Sequence, residues 1–70
     1  MQIIYSNHAE EQIEIRKILK VWVEESIKSP DRTEREGQNK YVARKKLNGR
    51  SIEVVYIREK YIKIVTVYCV

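Results

Sequence analysis

The chain has 70 residues, of which 34% are charged, with a formal net charge of +4, one cysteine and one histidine. This length leaves room for one domain, 1–70, and a single cysteine excludes an internal disulfide. No apolar run approaches the roughly 20 residues of a membrane span, and the first residues lack a signal-peptide pattern, so we expect a cytoplasmic protein without a membrane partner.

A short strand and a helix start are predicted at the beginning of the chain. The apolar run Gln2–Tyr5 suits an edge strand. Either Ser6 or Asn7 then supplies an N-cap, because its side-chain oxygen accepts an otherwise unpaired backbone N–H. With Asn7 in that role, Glu10 stands at the third helical position and completes a capping box.

Two helices follow. The first is expected from Asn7 to Arg16, and the second from Ile18 to Lys28, where apolar residues recur at spacings of three and four. Pro30 ends the second helix, because the residue before a proline avoids the helical conformation.

From Asp31 onward the apolar residues alternate, which is typical of strands. A turn at Asn48-Gly49 and another near residues 58–60 divide this part into hairpins. The predicted strands are a weak, polar Thr33–Glu36, then Tyr41–Leu47, Ser51–Ile57 and Tyr61–Val70.

The Asn48-Gly49 turn predicts a strand register. A type I′ turn needs positive φ at both central residues, which Asn-Gly tolerates, and pairing across it sets Leu47 opposite Arg50. Alternation then separates two faces, both partly apolar, so the sequence does not decide which face carries the helices. The two sets are Tyr41, Ala43, Ile52, Val54 and Tyr56 on one side, and Val42, Arg44, Glu53, Val55 and Ile57 on the other.

The expected fold class is therefore α+β, with a short N-terminal strand, two helices and an antiparallel meander of three or four strands. His8-Ala9, Arg16 and the closing Thr66-Val67-Tyr68 resemble the pattern of domain of unknown function family 4258 over nearly the whole chain. Members of that family look like compact relatives of the RelE and ParE toxins, so the resemblance implies a RelE-like fold with an RNA-facing sheet. The family pattern has an arginine where this chain has Gln12, and a glycine where it has Lys17.

Positive charge is concentrated in the second half of the chain. Residues 31–70 carry ten Lys and Arg against five Asp and Glu, whereas residues 1–30 carry four against five. Such an uneven basic surface favours polyanionic partners such as RNA. With the resemblance, it predicts a RelE-like RNA-binding domain, whose most specific form is a metal-independent, toxin-type endoribonuclease. The alternative is a non-catalytic basic binding module with the same fold.

The candidate catalytic residues are His8, Arg16, Arg44 and Tyr68. His8 would carry the proton in RNA cleavage, the two arginines would stabilise a pentacoordinate phosphate, and Tyr68 would stack on or orient a base. In the alternative, His8 only fixes the junction of strand and helix, and Arg44 forms a cross-strand ion pair with Glu53.

Five further residues are candidates for RNA binding, because exposed tyrosines beside cations hold single-stranded bases and phosphates. They are Lys46, Arg50, Tyr41, Tyr56 and Thr66. Tyrosine is also a good strand former, so packing is the alternative for the tyrosines.

No metal or cofactor is predicted, since one His and one Cys without HxxxH or CxxC spacing do not form a recognisable metal site. The expected partners are RNA, free or on the ribosome, and, for a toxin, a small acidic antitoxin that covers the basic sheet.

Overall fold

The computed structural model describes residues 2–70, so Met1, which the predicted domain includes, lies outside the described residues. The described part forms one sheet of order β1-β5-β4-β3-β2 with two helices. In chain order the elements are β1 Ile3–Tyr5, α1 Asn7–Ile15, α2 Lys20–Lys28, β2 Arg32–Arg35, β3 Lys40–Leu47, β4 Arg50–Arg58 and β5 Ile62–Cys69.

The predicted α+β class is confirmed, and β2 to β5 form the expected antiparallel meander. The expectation of a purely antiparallel sheet is wrong, because β1 adds to β5 in parallel, with Ile3 opposite Ile62 and Tyr5 opposite Ile64. The Ser6 N–H continues this pairing with a 3.0 Å hydrogen bond to the Ile64 carbonyl oxygen.

Ser6 is the N-cap of α1. Its hydroxyl oxygen accepts the Ala9 N–H at 3.0 Å, and the hydroxyl donates to the Val65 carbonyl oxygen at 2.8 Å. Asn7 is therefore the first helical residue, and the predicted capping box of Asn7 with Glu10 is wrong. The bond to β5 decides between two caps that are equally good locally.

Helix α1 ends in a left-handed turn, and this turn shifts the start of α2 further along the chain. The helix stops at Ile15, Lys17 takes a φ of 54°, and the Ile18 N–H donates back to the Ile13 carbonyl oxygen at 2.9 Å. This bond and the burial of both isoleucines form a Schellman-type ending. Because Ile18 belongs to that ending, α2 begins at Lys20 rather than at the predicted Ile18.

The two predicted hairpins are present. Asn48 and Gly49 have φ values of 52° and 77°, as a type I′ turn requires, and Leu47 lies opposite Arg50. The chain turns again between β4 and β5 at the predicted position. The weak strand β2 begins at Arg32, one residue before its predicted start.

The helices cover one face of the sheet. Helix α1 packs on β5, and α2 packs on β3 and β4. Each helix has nine residues, and no helix in residues 2–70 is long and apolar enough to cross a membrane. The buried cluster between the layers consists of Ala9, Ile13, Ile18, Val23, Ala43, Ile52, Val54, Tyr56, Ile62, Ile64 and Val67.

Candidate nucleic-acid interface

The sheet face without helices, here termed the open face, is basic at its margins and apolar in its middle. Strand pairing places five cationic side chains against two carboxylates on this face, a surplus of three positive charges. The charged members are Arg32, Lys40, Arg44, Lys46, Lys63, Glu34 and Glu53, and the others are Ile4, Val42, Ser51, Val55, Ile57, Thr66 and Tyr68.

The middle of the open face is a row of small apolar side chains across three strands. Val42 pairs with Val55, which pairs with Thr66. Val55 is only 6% exposed although no helix covers it, so neighbouring side chains shield it. The Thr66 hydroxyl oxygen is also buried, without a hydrogen-bond partner among the described residues. Tyr68 stands in the next row, beside this apolar patch.

Ion pairs on the open face neutralise its carboxylates. The Arg44 guanidinium donates to the Glu53 carboxylate, with Nε 3.2 Å from Oε2, which confirms the predicted cross-strand pair. Glu34 lies 3.8 Å from the guanidinium of Arg32. Within residues 2–70 these pairs leave three ammonium groups of the open face without a carboxylate partner, those of Lys40, Lys46 and Lys63.

His8, Gln12 and Arg16 form a polar stripe along α1, because residues four apart share a helix face. The Arg16 Nε–H donates to the Gln12 side-chain oxygen at 2.9 Å. The other flank of α1 faces α2, where Glu10 and Lys20 form a 2.7 Å ion pair. The stripe therefore lies on the flank directed away from α2.

Helix α1 packs on β5, whose second half has a free edge within residues 2–70. Strand β1 ends opposite Ile64, so the remainder of β5 pairs with β4 alone among the described strands. This half of β5 carries Thr66 and Tyr68 on the open face. Helix α1 and its stripe therefore lie against the helix-covered side of β5, whereas Thr66 and Tyr68 lie on the opposite face of that strand.

Two of the candidate residues are farther apart than the sequence suggested. Arg44 belongs to β3, and β4 lies between it and β5, so it stands about 10 Å across the sheet from β5. His8 is exposed, and the side-chain hydrogen bonds and ion pairs found in residues 2–70 do not include it. Nothing in this geometry makes Arg44 and His8 neighbours.

Tyr41 and Tyr56 lie on the face that the helices cover, which corrects their assignment to RNA binding. Tyr56 is 6% exposed, and its ring stacks on Tyr41 with centroids 5.5 Å apart and planes inclined by 20°. Burial raises the pKa of the Tyr56 phenol. The Tyr56 ring is therefore not accessible to a base, and Tyr41 has one ring face occupied by Tyr56.

Arg50 also lies on the helix-covered side, where it holds the end of α1. Its guanidinium donates to the carbonyl oxygens of Arg16 at 2.8 Å and Lys17 at 3.2 Å, and to Cys69 Sγ. It also lies 6.0 Å from the Trp22 ring centroid. These contacts occupy the cation, so Arg50 is a structural residue rather than the predicted RNA contact. In the sequence, only the position of Arg50 next to the hairpin turn could have indicated this structural role.

The model of one protein family matches residues 5–69, and that family is described as Domain of unknown function (DUF4258). This chain belongs to DUF4258. The predicted family is thereby confirmed, and the matched range includes both the α1 stripe and the strands of the open face in this DUF4258 domain. Neither the curated proteins nor the solved structures contain a significant match to the chain. Residues 2–70 contain no group of three or more His, Cys, Asp and Glu side chains placed to hold a metal ion.

Proposed function

We propose that this DUF4258 domain binds single-stranded RNA on its open face. The observation that carries the proposal is the set of three free ammonium groups around an apolar surface that includes Tyr68. Lysines attract phosphates without regard to sequence, and a tyrosine ring provides a stacking surface for a base.

The apolar middle of the open face favours single-stranded over double-stranded RNA. A duplex presents phosphates and 2′-hydroxyls, which gain nothing from the half-buried Val42 and Ile57. Unpaired bases can instead lie flat on such a surface and release water from it. Lys40 and Lys63 flank Ile57 on the two neighbouring strands, so a backbone crossing the strands would meet two cations with an apolar contact between them.

The first test compares two charge reversals that change the net charge equally. Lys63→Glu removes a cation from the open face, whereas Lys28→Glu changes an exposed lysine at the end of α2. We expect Lys63→Glu to weaken binding of a labelled oligouridine about tenfold in fluorescence anisotropy, and Lys28→Glu to have less than about a twofold effect.

Salt dependence provides the internal check on that result. Three lysine–phosphate contacts on a single strand predict that log K falls with log salt with a slope of about −2, and Lys63→Glu should make the slope shallower. Equal losses of affinity for both variants, or binding that does not change with salt, would contradict the open face as the site. Circular dichroism confirms that each variant is folded.

A metal-independent endoribonuclease is the second candidate function, and the exposed His8 and Arg16 on one side of α1 favour it. In such a reaction the 2′-oxygen attacks the adjacent phosphorus, and the bond to the 5′-oxygen breaks. His8 would take the 2′-hydroxyl proton or return one to the leaving oxygen, and Arg16 would stabilise the added phosphate charge. In this proposal Arg44 would hold a neighbouring phosphate rather than the reacting one, because β4 separates it from β5.

The cleavage test incubates the purified protein with labelled messenger RNA alone in the presence of EDTA, and in a separate arm with ribosomes in a buffer that contains Mg²⁺. Products ending in a 2′,3′-cyclic phosphate are expected, and His8→Ala or Arg16→Ala should slow their formation by about a hundredfold or more. Glu11→Ala, at an exposed position of the same helix, is the matched control. Intact RNA with the unaltered protein would leave a binding module as the function.

If cleavage occurs in cells, we propose that the domain is the toxin of a toxin–antitoxin pair related to RelE and ParE. Its antitoxin would then be a small acidic protein encoded beside it, since the open face has a surplus of positive charge. Expression should arrest growth, His8→Ala should relieve the arrest, and the acidic partner should displace RNA from the open face.

A further inference from the structure

The charges along the outer edge of β2 are arranged so that two antiparallel copies of this strand would set opposite charges against each other. This strand lies at the end of the sheet and pairs with β3 alone among the described elements. All four of its residues are exposed. An edge strand offers unpaired N–H and C=O groups to another strand unless its side chains prevent the approach.

The hairpin at residues 48–49 determines which backbone groups of β2 face outward from the sheet edge. A two-residue turn makes Leu47 and Arg50 a hydrogen-bonded pair, so odd-numbered residues of β3 bond to β4 and even-numbered residues bond toward β2. The Lys46 N–H fits this alternation, since it donates to the Asp31 carboxylate on the β2 side at 2.9 Å.

The same alternation continues into β2. The Glu36 N–H donates to the Lys40 carbonyl oxygen at 2.8 Å, which places even-numbered residues of this segment toward β3. Arg32 and Glu34 therefore face β3, and the N–H and C=O groups of Thr33 and Arg35 face solvent. A second strand can join this edge only through those groups. The alternation ends at Asp31, whose N–H also donates toward β3, to the Arg44 carbonyl oxygen at 2.9 Å.

Charge then selects one register for antiparallel pairing with a second copy. Centred on Thr33, the pairing sets Thr33 opposite Thr33 of the second copy and each Arg32 opposite a Glu34. A shift of two residues keeps the outward groups matched but sets Arg32 opposite Arg32, or Glu34 opposite Glu34. Like charges directly opposite each other are destabilising, so only the Thr33-centred register is favourable.

We propose that two copies of this chain associate by antiparallel pairing of their β2 strands, centred on Thr33. The two-fold axis is perpendicular to the sheet, so both open faces lie on the same side of one continuous sheet. Arg32 and Glu34 carry the selectivity: their side chains are 69% and 60% exposed and are only 3.8 Å from each other within one chain.

The flanking charges contribute less to this pairing. Arg35 already donates to the carbonyl oxygens of Gly37 and Gln38, and Asp31 already accepts the Lys46 N–H. With four residues from each copy, the interface is well below the usual size of a stable one, so association is expected between about 10 µM and 1 mM.

Sedimentation velocity over that concentration range tests the pairing without RNA. Arg32→Glu alone and Glu34→Arg alone each place like charges opposite one another, and we expect each to lower the association constant at least about tenfold. An equimolar mixture of the two variants should associate again, because every charge of one then faces its opposite on the other. The double variant with both changes should also recover the association.

Two further variants separate pairing from folding. Thr33→Pro removes an N–H that faces solvent, so it should abolish association without breaking a bond to β3. Lys60→Glu, in the turn after β4, is the control reversal and should leave association unchanged. A wild-type protein that stays monomeric at about 1 mM, or a mixture that associates no more than its components, overturns the proposal.

Discussion

Lys17 adopts a backbone conformation that is unfavourable for a residue with a side chain. Its φ of 54° lies in the left-handed region, where the Cβ of a non-glycine residue crowds the following carbonyl oxygen. The Ile18 N–H bond to Ile13 holds the turn in this shape. A glycine at this position would adopt the same turn without crowding.

Lys17→Gly should therefore stabilise the domain despite removing a side chain. We expect the free energy of unfolding to rise by about 0.5–1 kcal/mol in urea titrations, because relief of the left-handed strain exceeds the added entropy of the unfolded glycine. Lys17→Ala is the matched control: it removes the same charge but keeps the Cβ, and should be near neutral. Equal stabilisation by alanine would show that the lysine charge, rather than φ, is the cause.

Helix α1 is fixed at both ends by contacts with distant strands. Ser6 bonds to the Val65 carbonyl at its start, and Arg50 bonds to the carbonyls of Arg16 and Lys17 at its end. A cation at the last carbonyls of a helix also suits the negative end of its dipole. The position of the polar stripe along β5 therefore depends on these two contacts.

Arg50→Ala should separate structure from RNA binding at this element. Losing the hydrogen bonds to two backbone carbonyls and to Cys69 Sγ should lower the free energy of unfolding by about 1–3 kcal/mol, discounted toward the lower end for partial exposure. RNA affinity per folded molecule should stay unchanged. Arg58→Ala, at the exposed far end of β4, is the control and should alter stability little. Lost affinity with unchanged stability would return Arg50 to the RNA-binding residues.

Elements that depend only on residues close in the sequence were predictable from the sequence. Asn48-Gly49 fixed the register of β3 and β4, because the turn itself specifies both strands. The parallel pairing of β1 was not predictable in this way, since its three residues meet a partner at the other end of the chain. The choice of Ser6 over Asn7 as N-cap failed for the same reason, because a bond to β5 decides it.

At the scale of the whole molecule, the candidate site was predictable only in part. The sequence identified the charges and their alternation, and it paired Arg44 with Glu53 correctly. It left open which face the helices cover, since both faces contain apolar residues. Because of that ambiguity, Tyr56 and Arg50 were predicted to contact RNA. Both lie on the sheet face that α1 and α2 cover, so neither is available to RNA.

Tyr5 connects β1 to both helices, which makes the stability of the whole domain sensitive to alkaline pH. Its hydroxyl donates to Glu24 Oε2 at 2.9 Å, and Lys20 Nζ lies 4.7 Å from its ring centroid while pairing with Glu10. Burial, and then the hydrogen bond and negative charge of Glu24, raise the pKa of the Tyr5 phenol above its ordinary value of 10.0. The folded state therefore binds the Tyr5 proton more tightly than the unfolded state does.

A folded pKa above the unfolded one means that this contribution to stability is complete below about pH 10 and is lost as the pH rises toward the folded value. Buried Tyr56, whose pKa is also raised, acts in the same direction. We expect the unfolding temperature to fall as the pH rises above about 10. Tyr5→Phe should unfold at a lower temperature at neutral pH, because the bond to Glu24 is gone, but should show a smaller alkaline fall. The difference between wild type and variant is the quantity to measure, because it isolates the contribution of the Tyr5 hydroxyl, with Tyr61→Phe as the exposed control. Parallel curves for wild type and Tyr5→Phe would show that the buried hydroxyl does not couple folding to pH.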